Sequence, residues 1–323
     1  MMRFWSALAL AALTASAACA QEKFATGQGE TRPLRFSDSD DSQTRFGKLD
    51  FLGGLEWRSD RADFGGFSGM LLDDDGTITA ITDKAHWARA KLIFNPQGGL
   101  AAIEGLEVWR LYATETDFLQ RPNTDAEAIT RDGDALLIAF EGNHRVSRFA
   151  GLGAPEEKLT GLPNLSRLRN NKGLEALLKL PDGRLVMVAE EPPSDANSND
   201  HVGWIMLGET AQRFRIKRAG RYSVTDLALG PDGETLYLLE RRYSLFGGPG
   251  MRIRRFPLSD LSPGAMIEGE ALIDIGAGHA VDNMEALATR RGASGETELL
   301  VLSDDNFSFR QRTLLLHFRV SDR

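Results

Sequence analysis

Five segments of this chain repeat one sequence plan, and the repeat restricts the fold more than any other feature. Each segment contains an apolar run, a glycine-bearing turn, and a second apolar run that ends in an acidic residue. Short runs rich in Val, Ile, Leu and Thr around such a turn are typical of β-hairpins. Because the runs are nearly all apolar, we expect both faces of each hairpin to be buried. The five segments are residues 67–83, 126–141, 174–190, 224–240 and 284–304.

Further strand-like runs follow the hairpins, so that each repeat has enough chain for a small sheet. The repeats begin 48 to 59 residues apart, a spacing that fits four-stranded blades with generous loops. This period predicts an all-β protein with a β-propeller fold. We count five blades, and six is the alternative because residues 21–66 have room for degenerate strands. The fifth blade lacks one strand, which the N-terminal run 48–57 is predicted to supply, closing the ring and removing exposed sheet edges.

Acidic side chains recur at two positions of the repeat, 14 to 19 residues apart. At the start of the first strand stand Ser68, Glu127, Glu175, Asp226 and Glu285, and at the end of the second strand stand Asp83, Glu141, Glu190, Glu240 and Asp304. In an antiparallel hairpin these two positions lie at the same end of the sheet. Up to nine carboxylates are therefore predicted to converge on one mouth of the central channel.

So many carboxylates cannot all stay ionised in a partly dehydrated space without compensation, because their charges repel. A hard cation such as Ca²⁺, which takes about six to eight oxygen ligands, would compensate them. The bases that lie next to the acids in sequence would also do so, and these are Lys84, Arg145, Lys172, Arg241 and Arg242. The predicted metal ligands are Glu127, Glu175, Glu190, Asp226, Glu240, Glu285 and Asp304. In the alternative interpretation the acids are structural, each accepting hydrogen bonds from the backbone of the neighbouring blade.

The first twenty residues have the features of an export signal. Arg3 precedes a short apolar run, and Ala18-Cys19-Ala20 fits a small-residue cleavage site. We therefore predict a signal peptide over residues 1–20, a flexible segment over 21–46 and a single propeller domain over 47–323. The mature protein is expected to be periplasmic or secreted after cleavage near Ala20. In the alternative, Cys19, the only cysteine of the chain, carries a lipid anchor.

The net charge of −8 argues against nucleic acid and anionic lipid as partners, because both require basic patches. Beyond the signal, no stretch approaches the roughly 18 consecutive apolar residues of a transmembrane helix. We expect a monomer that takes a small anionic or ester substrate.

Four motifs of the sequence contain several of these acids: Asn171-Lys-Gly-Leu-Glu175, Leu239-Glu240-Arg241, Asp282-Asn283-Met284-Glu285-Ala286-Leu287 and Leu302-Ser-Asp-Asp-Asn306-Phe307-Ser308. They resemble the phytase-like domain family of bacterial exported proteins, which are labelled as having esterase-like activity of the phytase type. The resemblance extends from about residue 47 to residue 320. It implies a β-propeller fold and a hydrolase of phosphoesters or esters.

The resulting hypothesis is a Ca²⁺-dependent hydrolase of phosphomonoesters or related esters. The cation would polarise a phosphoryl or carbonyl oxygen and lower the pKa of the attacking water. The expected catalytic residues are Glu175, Glu285 and Arg241, and the expected substrate-binding residues are Lys84, Arg242 and Asn306. The alternatives are a non-catalytic propeller that binds a small ligand or an envelope partner, and a lactonase-like propeller enzyme with one central cation and a carboxylate base.

Overall fold

The computed structural model describes residues 29–114, 116–151 and 153–321. In these ranges the apolar runs form β-strands, which pair antiparallel except for one short parallel pair between residues 215–216 and 266–267. Two single-turn 3₁₀ helices, Leu165–Arg167 and Leu258–Asp260, are the only helical elements in these ranges. The strands are β1 (Glu30–Pro33), β2 (Arg45–Phe46), β3 (Leu49–Arg58), β4 (Phe67–Leu72), β5 (Thr77–Thr82), β6 (His86–Phe94), β7 (Leu100–Arg110), β8 (Ala126–Asp132), β9 (Ala135–Phe140), β10 (Arg145–Phe149), β11 (Glu157–Lys158), β12 (Leu174–Lys179), β13 (Leu185–Ala189), β14 (His201–Leu207), β15 (Thr210–Ile216), β16 (Ser223–Leu229), β17 (Thr235–Ser244), β18 (Gly248–Pro257), β19 (Met266–Ile267), β20 (Glu270–Ile275), β21 (Asn283–Arg291), β22 (Thr297–Asp304) and β23 (Thr313–Val320).

These strands form five small sheets, which are the blades of a β-propeller. Blade one contains β4–β7, blade two β8–β11, blade three β12–β15 with β19, blade four β16–β18 with β20, and blade five β21–β23 with β1–β3. The innermost strands β4, β8, β12, β16 and β21 contact one another in a closed ring. The predicted fold and the count of five blades are confirmed.

The ring is closed by an N-terminal strand, as predicted. β3 pairs with β23 from Trp57 opposite Thr313 to Leu49 opposite Val320. On its other edge β3 also pairs with β1, which lies within the segment predicted to be flexible. From Glu30 onward, therefore, the described part of that segment belongs to the folded unit. Its strand was missed because β1 is mostly exposed and shows no alternation of apolar residues.

The predicted signal peptide, its cleavage site and Cys19 lie outside the described residues. In the described ranges, no helix has the length and apolar character needed to cross a membrane.

Five apolar clusters hold the propeller together, one at each contact between neighbouring blades. Between blades five and one, the rings of Trp57 and Phe67 stack with centroids 5.5 Å apart. Between blades one and two, Trp87 meets Phe149 edge to face at 5.8 Å. Since every blade is packed on both sides, its strands are apolar on both faces, which explains the near-continuous apolar runs.

Each innermost strand contains a one-residue β-bulge close to the same mouth of the channel. A bulge leaves its extra residue unpaired and changes the direction of that side chain. In four blades the bulge lets a polar side chain leave the apolar blade contacts and line the channel mouth, whereas Thr225 of blade four is buried and donates a 3.0 Å hydrogen bond to the Met284 carbonyl of blade five. The extra residues are Ser68, Glu127, Glu175, Thr225 and Glu285.

Candidate functional site

A cavity of about 800 Å³ lies at the bulged ends of the innermost strands. It brings together side chains from all five blades, and carboxylates outnumber cationic groups by nine to four. The acidic residues are Asp83, Asp125, Glu127, Glu141, Glu175, Glu190, Asp282, Glu285 and Asp304, and the basic residues are Lys172, Arg241, Arg242 and Arg310. Seven of these nine acids come from the two recurring positions of the repeat.

Blade four departs from the other blades by one residue at both recurring positions. Its bulge places Thr225, not Asp226, level with Glu127 and Glu175. On the second strand Glu240 pairs with Val224, so the following residue, Arg241, takes the place of the acid. Because alternate residues of a strand face opposite sides, a shift of one residue turns a side chain away from the channel. Asp226 and Glu240 do not line the cavity.

Glu240 has a structural role. It was predicted to be a metal ligand at the mouth, but its side chain lies outside the cavity. Its side chain is fully buried, with its two oxygens 2.8 Å from Arg254 Nε and 2.7 Å from Arg254 Nη2. His201 Nε2, from blade three, lies 3.5 Å away. Although burial alone would raise it, the His201 and Arg254 contacts hold the pKa of Glu240 below its usual value.

The Asp226 side chain likewise lies outside the cavity, where it binds backbone groups. Its carboxylate accepts a 2.7 Å hydrogen bond from the Leu227 backbone N–H and a 2.6 Å bond from that of Leu287. Leu287 belongs to blade five, so Asp226 joins two blades. Burial raises the pKa of Asp226 to about 7, against the lowering effect of these hydrogen bonds. The structural interpretation, in which an acid accepts a backbone hydrogen bond from the neighbouring blade, therefore fits Asp226, whereas Glu240 is bound by the side chains of Arg254 and His201.

Of the predicted substrate-binding residues, Arg242 and Asn306 line the cavity and Lys84 does not. The Lys84 ammonium lies 2.8 Å from the centre of the Phe307 ring, a cation–π contact. Asn306 and Phe307 both have positive φ angles, 48° and 49°. Asp305 supports this turn by accepting hydrogen bonds from the backbone N–H groups of Gly66 and Phe307. Lys84 therefore packs against the loop that presents Asn306.

One side of the cavity is a purely acidic cluster, which we call the acidic trio: Asp125, Glu127 and Glu141. One carboxylate oxygen from each lies within 4.8 Å of the other two. Burial raises the pKa of Glu127 well above its usual value, and the negative charge of Glu175 raises it further. Burial and the neighbouring Asp125 raise that of Glu141 to about 7. The trio is therefore electrostatically strained in the absence of a cation.

The acids that blades three and five contribute to the cavity have cations beside them. Arg241 Nε lies 2.9 Å from Glu285 Oε1, and Arg241 Nη2 lies 3.5 Å from Glu190 Oε1. Lys172 Nζ lies 2.8 Å from Glu190 Oε2. The pKa of Arg241 is raised, because the charges of Glu285 and Glu190 outweigh the effect of burial. We call these four residues the paired cluster.

Glu175 and Glu285 lie near the paired cations, but neither is fully compensated. Burial and the charge of Glu190 raise the pKa of Glu175 well above its usual value. Burial raises the pKa of Glu285 to about 7 even though Arg241 lowers it. The second oxygen of Glu285 is buried without a hydrogen-bond partner. A carboxyl group with a pKa near neutrality can both take up and release a proton at physiological pH.

The sequence interpretation assigned no role to three charged residues of the cavity, Asp125, Asp282 and Arg310. Asp125 and Asp282 each precede a bulge glutamate, by two and three residues, so an acid just before the strand was an available signal. Arg310 lies in the loop between β22 and β23, where no repeat pattern identifies it.

The acidic trio suits a calcium ion by its donor chemistry. All three side chains offer oxygen, the ligand that Ca²⁺ prefers. The Glu141 Oε1 atom is buried and has no hydrogen-bond partner. Among the described residues, no Lys or Arg forms an ion pair with any member of the trio. Asp226 and Glu240, in contrast, do not line the cavity, and their carboxylates are bound to other groups of the protein.

No curated protein matches this chain in sequence. Among solved structures it is similar to the PQQ domain of pyranose dehydrogenase from Coprinopsis cinerea, at 8% identity and a TM-score of 0.46 over 88% of this chain and 98% of that one. It is also similar to the PQQ-bound aldose sugar dehydrogenase from Streptomyces coelicolor, at 11% identity and a TM-score of 0.42 over 91% and 99%. These distant similarities carry no argument about function.

The comparison with known sequence families, in contrast, identifies a family. The family described as phytase-like, with esterase-like activity of phytase, matches residues 62–307 of the 323-residue chain. This range includes all five bulges and every acid of the cavity. The chain therefore belongs to the phytase-like family.

Proposed function

We propose that this protein is an exported, Ca²⁺-dependent hydrolase of phosphate monoesters or related esters, with its active centre in the carboxylate-lined cavity. The observation that carries the proposal is the division of the cavity into two parts. The acidic trio, which has no ion-pair partner among the described residues, lies beside a cluster in which Arg241 and Lys172 form ion pairs with Glu285 and Glu190. Such a division provides separate places for a metal ion and for an anionic substrate.

Asp125, Glu127 and Glu141 are the residues that would hold the calcium ion. When bound, the ion would polarise an ester oxygen and lower the pKa of a water molecule. The protein's own contribution is to hold the three carboxylates at the ends of blade-two strands, where β8 and β9 fix their spacing. Neighbouring blades support them, so the ligands are positioned before the metal binds.

Arg241, Arg242, Lys172 and Arg310 would hold the negative charge of the substrate. Arg241 is the best placed, since its side chain is three-quarters buried and the paired carboxylates hold it in position. A planar guanidinium matches the oxygens of a phosphate group in geometry. Arg242 donates a 3.0 Å hydrogen bond to the Tyr222 hydroxyl, which fixes its position at the wall of the cavity.

Glu285 is the candidate for proton transfer. Its pKa of about 7 and its partnerless buried oxygen suit a group that accepts a proton from water and returns it to a leaving alcohol. In the overall reaction the water oxygen bonds to phosphorus or to the acyl carbon. The ester bond to the alcohol oxygen breaks, and the alcohol leaves with a proton. Glu175 lines the same cavity, has a raised pKa, and would support this transfer.

The proposal is tested on the purified mature chain by measuring bound metal together with turnover. Hydrolysis of 4-nitrophenyl phosphate and 4-nitrophenyl acetate is followed before and after chelation, and again after Ca²⁺ is restored. We expect about one tightly bound ion per chain, loss of turnover on chelation and recovery with Ca²⁺. A metal-free protein, or turnover insensitive to chelator, would overturn the proposal. A chain that binds Ca²⁺ and phosphate but turns over neither substrate would favour the binding-propeller alternative.

A further inference from the structure

Two loops at the mouth of the cavity carry large apolar side chains that are exposed to solvent. At the tip of the β17–β18 hairpin, the exposed fractions are 70% for Tyr243, 86% for Leu245 and essentially the whole side chain for Phe246. In the loop between β22 and β23, Phe309 is 94% exposed. Tyr243 itself lines the cavity, and Phe309 lies between the cavity-lining residues Ser308 and Arg310.

This concentration of apolar side chains is particular to the mouth. In the described part of the chain, six large apolar residues are exposed, and four of them are in these two loops. Leu207 and Met266, the other two, do not line the cavity. Single exposed apolar residues are ordinary, but a group of them beside a cavity marks a surface that binds something apolar.

The same loops also present positive charge. Arg242 directly precedes Tyr243, Arg310 directly follows Phe309, and both arginines line the cavity. The Arg310 guanidinium lies 5.4 Å from the centre of the Phe309 ring. Aromatic and cationic groups therefore occur together at the entrance, an arrangement that suits a ligand with an anionic head and an apolar body.

We propose that Tyr243, Leu245, Phe246 and Phe309 form an apolar rim that receives the leaving group of the substrate. This inference rests on the proposed function and narrows its substrate class. The preferred substrates are phosphate monoesters of aromatic or alkyl alcohols, whose phosphate enters the cavity while the apolar body rests on the rim. A heavily phosphorylated polyol has no apolar surface to offer there.

The charge of the molecule favours this occupant over a membrane. The chain has a net charge of −8 and the cavity between the two loops contains nine acids against four bases. An anionic lipid surface would be repelled from such a mouth. A small ligand places its single anionic group beside the arginines and avoids this repulsion.

The test compares two non-hydrolysable anions with the same head group, phenylphosphonate and methylphosphonate, by calorimetric titration of the mature protein in the presence of Ca²⁺. We expect phenylphosphonate to bind at least about tenfold more tightly, the scale expected for an apolar group in its pocket. Phe246→Ser and Phe309→Ser should each reduce this ratio. Leu207→Ser, an exposed apolar residue remote from the cavity, is the matched control and should retain it.

The possible failures are distinguishable. Equal affinities for the two phosphonates, or the same loss of preference in Leu207→Ser, would overturn the rim while leaving the hydrolase proposal standing. Absence of binding for both anions would remove the anion site and the rim with it. Equal affinities, together with binding to phosphatidylcholine vesicles that Phe246→Ser abolishes, would assign the loops to membrane contact and overturn the proposed role.

Discussion

Arg241 Nε lies 2.9 Å from Glu285 Oε1. Arg241 occupies the blade-four position at which the other blades carry the acid that ends their second strand. One arginine in a ring of carboxylates makes the two sides of the mouth unequal. The acids near Arg241 are partly compensated by the protein itself, and the acidic trio of blade two has no ion-pair partner among the described residues. The proposed division between a substrate side and a metal side rests on this exchange of charge, together with the pairing of Lys172 with Glu190.

Replacement of Arg241 tests its role in anion binding. In Arg241→Gln we expect the inhibition constant of inorganic phosphate to rise at least about tenfold, because a charge-assisted contact is lost. Without its cation, Glu285 should also have a pKa above its present value of about 7. If ionised Glu285 accepts the proton, the acidic limb of the pH–rate profile then moves to higher pH. An unchanged inhibition constant and pH profile would contradict the assignment.

Glu141 and Glu240 form a matched pair, because they occupy similar places in the sequence repeat but different environments. Glu141→Gln should lower Ca²⁺ affinity at least about tenfold, since affinity depends on the charge of the ligands. Glu240→Gln should instead reduce the free energy of unfolding by about 3–5 kcal/mol, because it leaves Arg254 buried without its counter-ion.

Calcium titration and urea denaturation of both variants measure these two effects. Reversed results, with metal binding lost in Glu240→Gln and stability lost in Glu141→Gln, would show that the one-residue shift in blade four is wrong.

The stability of the metal-free protein should decrease as the pH rises from about 5 to about 8. Burial raises the pKa values of Glu141, Glu285 and Asp226 to about 7, against about 4 in an unfolded chain. Between about pH 4 and about pH 7 the carboxyl groups of the folded state retain protons that those of the unfolded state release, so the free energy of unfolding falls with increasing pH. Differential scanning fluorimetry across this range, with and without Ca²⁺, measures it. A melting temperature that rises with pH in the absence of metal would contradict the prediction.

The hairpins and the blade count could be predicted from the sequence because they depend on local patterns. Apolar runs and glycine turns recur in every blade, and one missing strand in the fifth indicated the closure by β3. β1 carries no such pattern, since its exposed residues pair only with the edge of β3.

The exact members of the site depend on pairing between strands, which sequence spacing does not fix. Asp226 and Glu240 are separated by the same number of residues as Glu127 and Glu141, yet the blade-four pairing places Thr225 and Arg241 in the corresponding positions. Lys84 adjoins a cavity acid in sequence, but its side chain contacts Phe307. Asp125 was overlooked because it lies just before its strand.

The most direct test of the calcium site is an anomalous difference map from crystals of the protein grown with Ca²⁺. We expect a single strong peak bounded by the carboxylates of Asp125, Glu127 and Glu141, with none between Arg241 and Glu285. The absence of any peak at the mouth, or a peak among Glu175, Glu190 and Glu285 at the position that the Arg241 guanidinium occupies, would contradict this expectation.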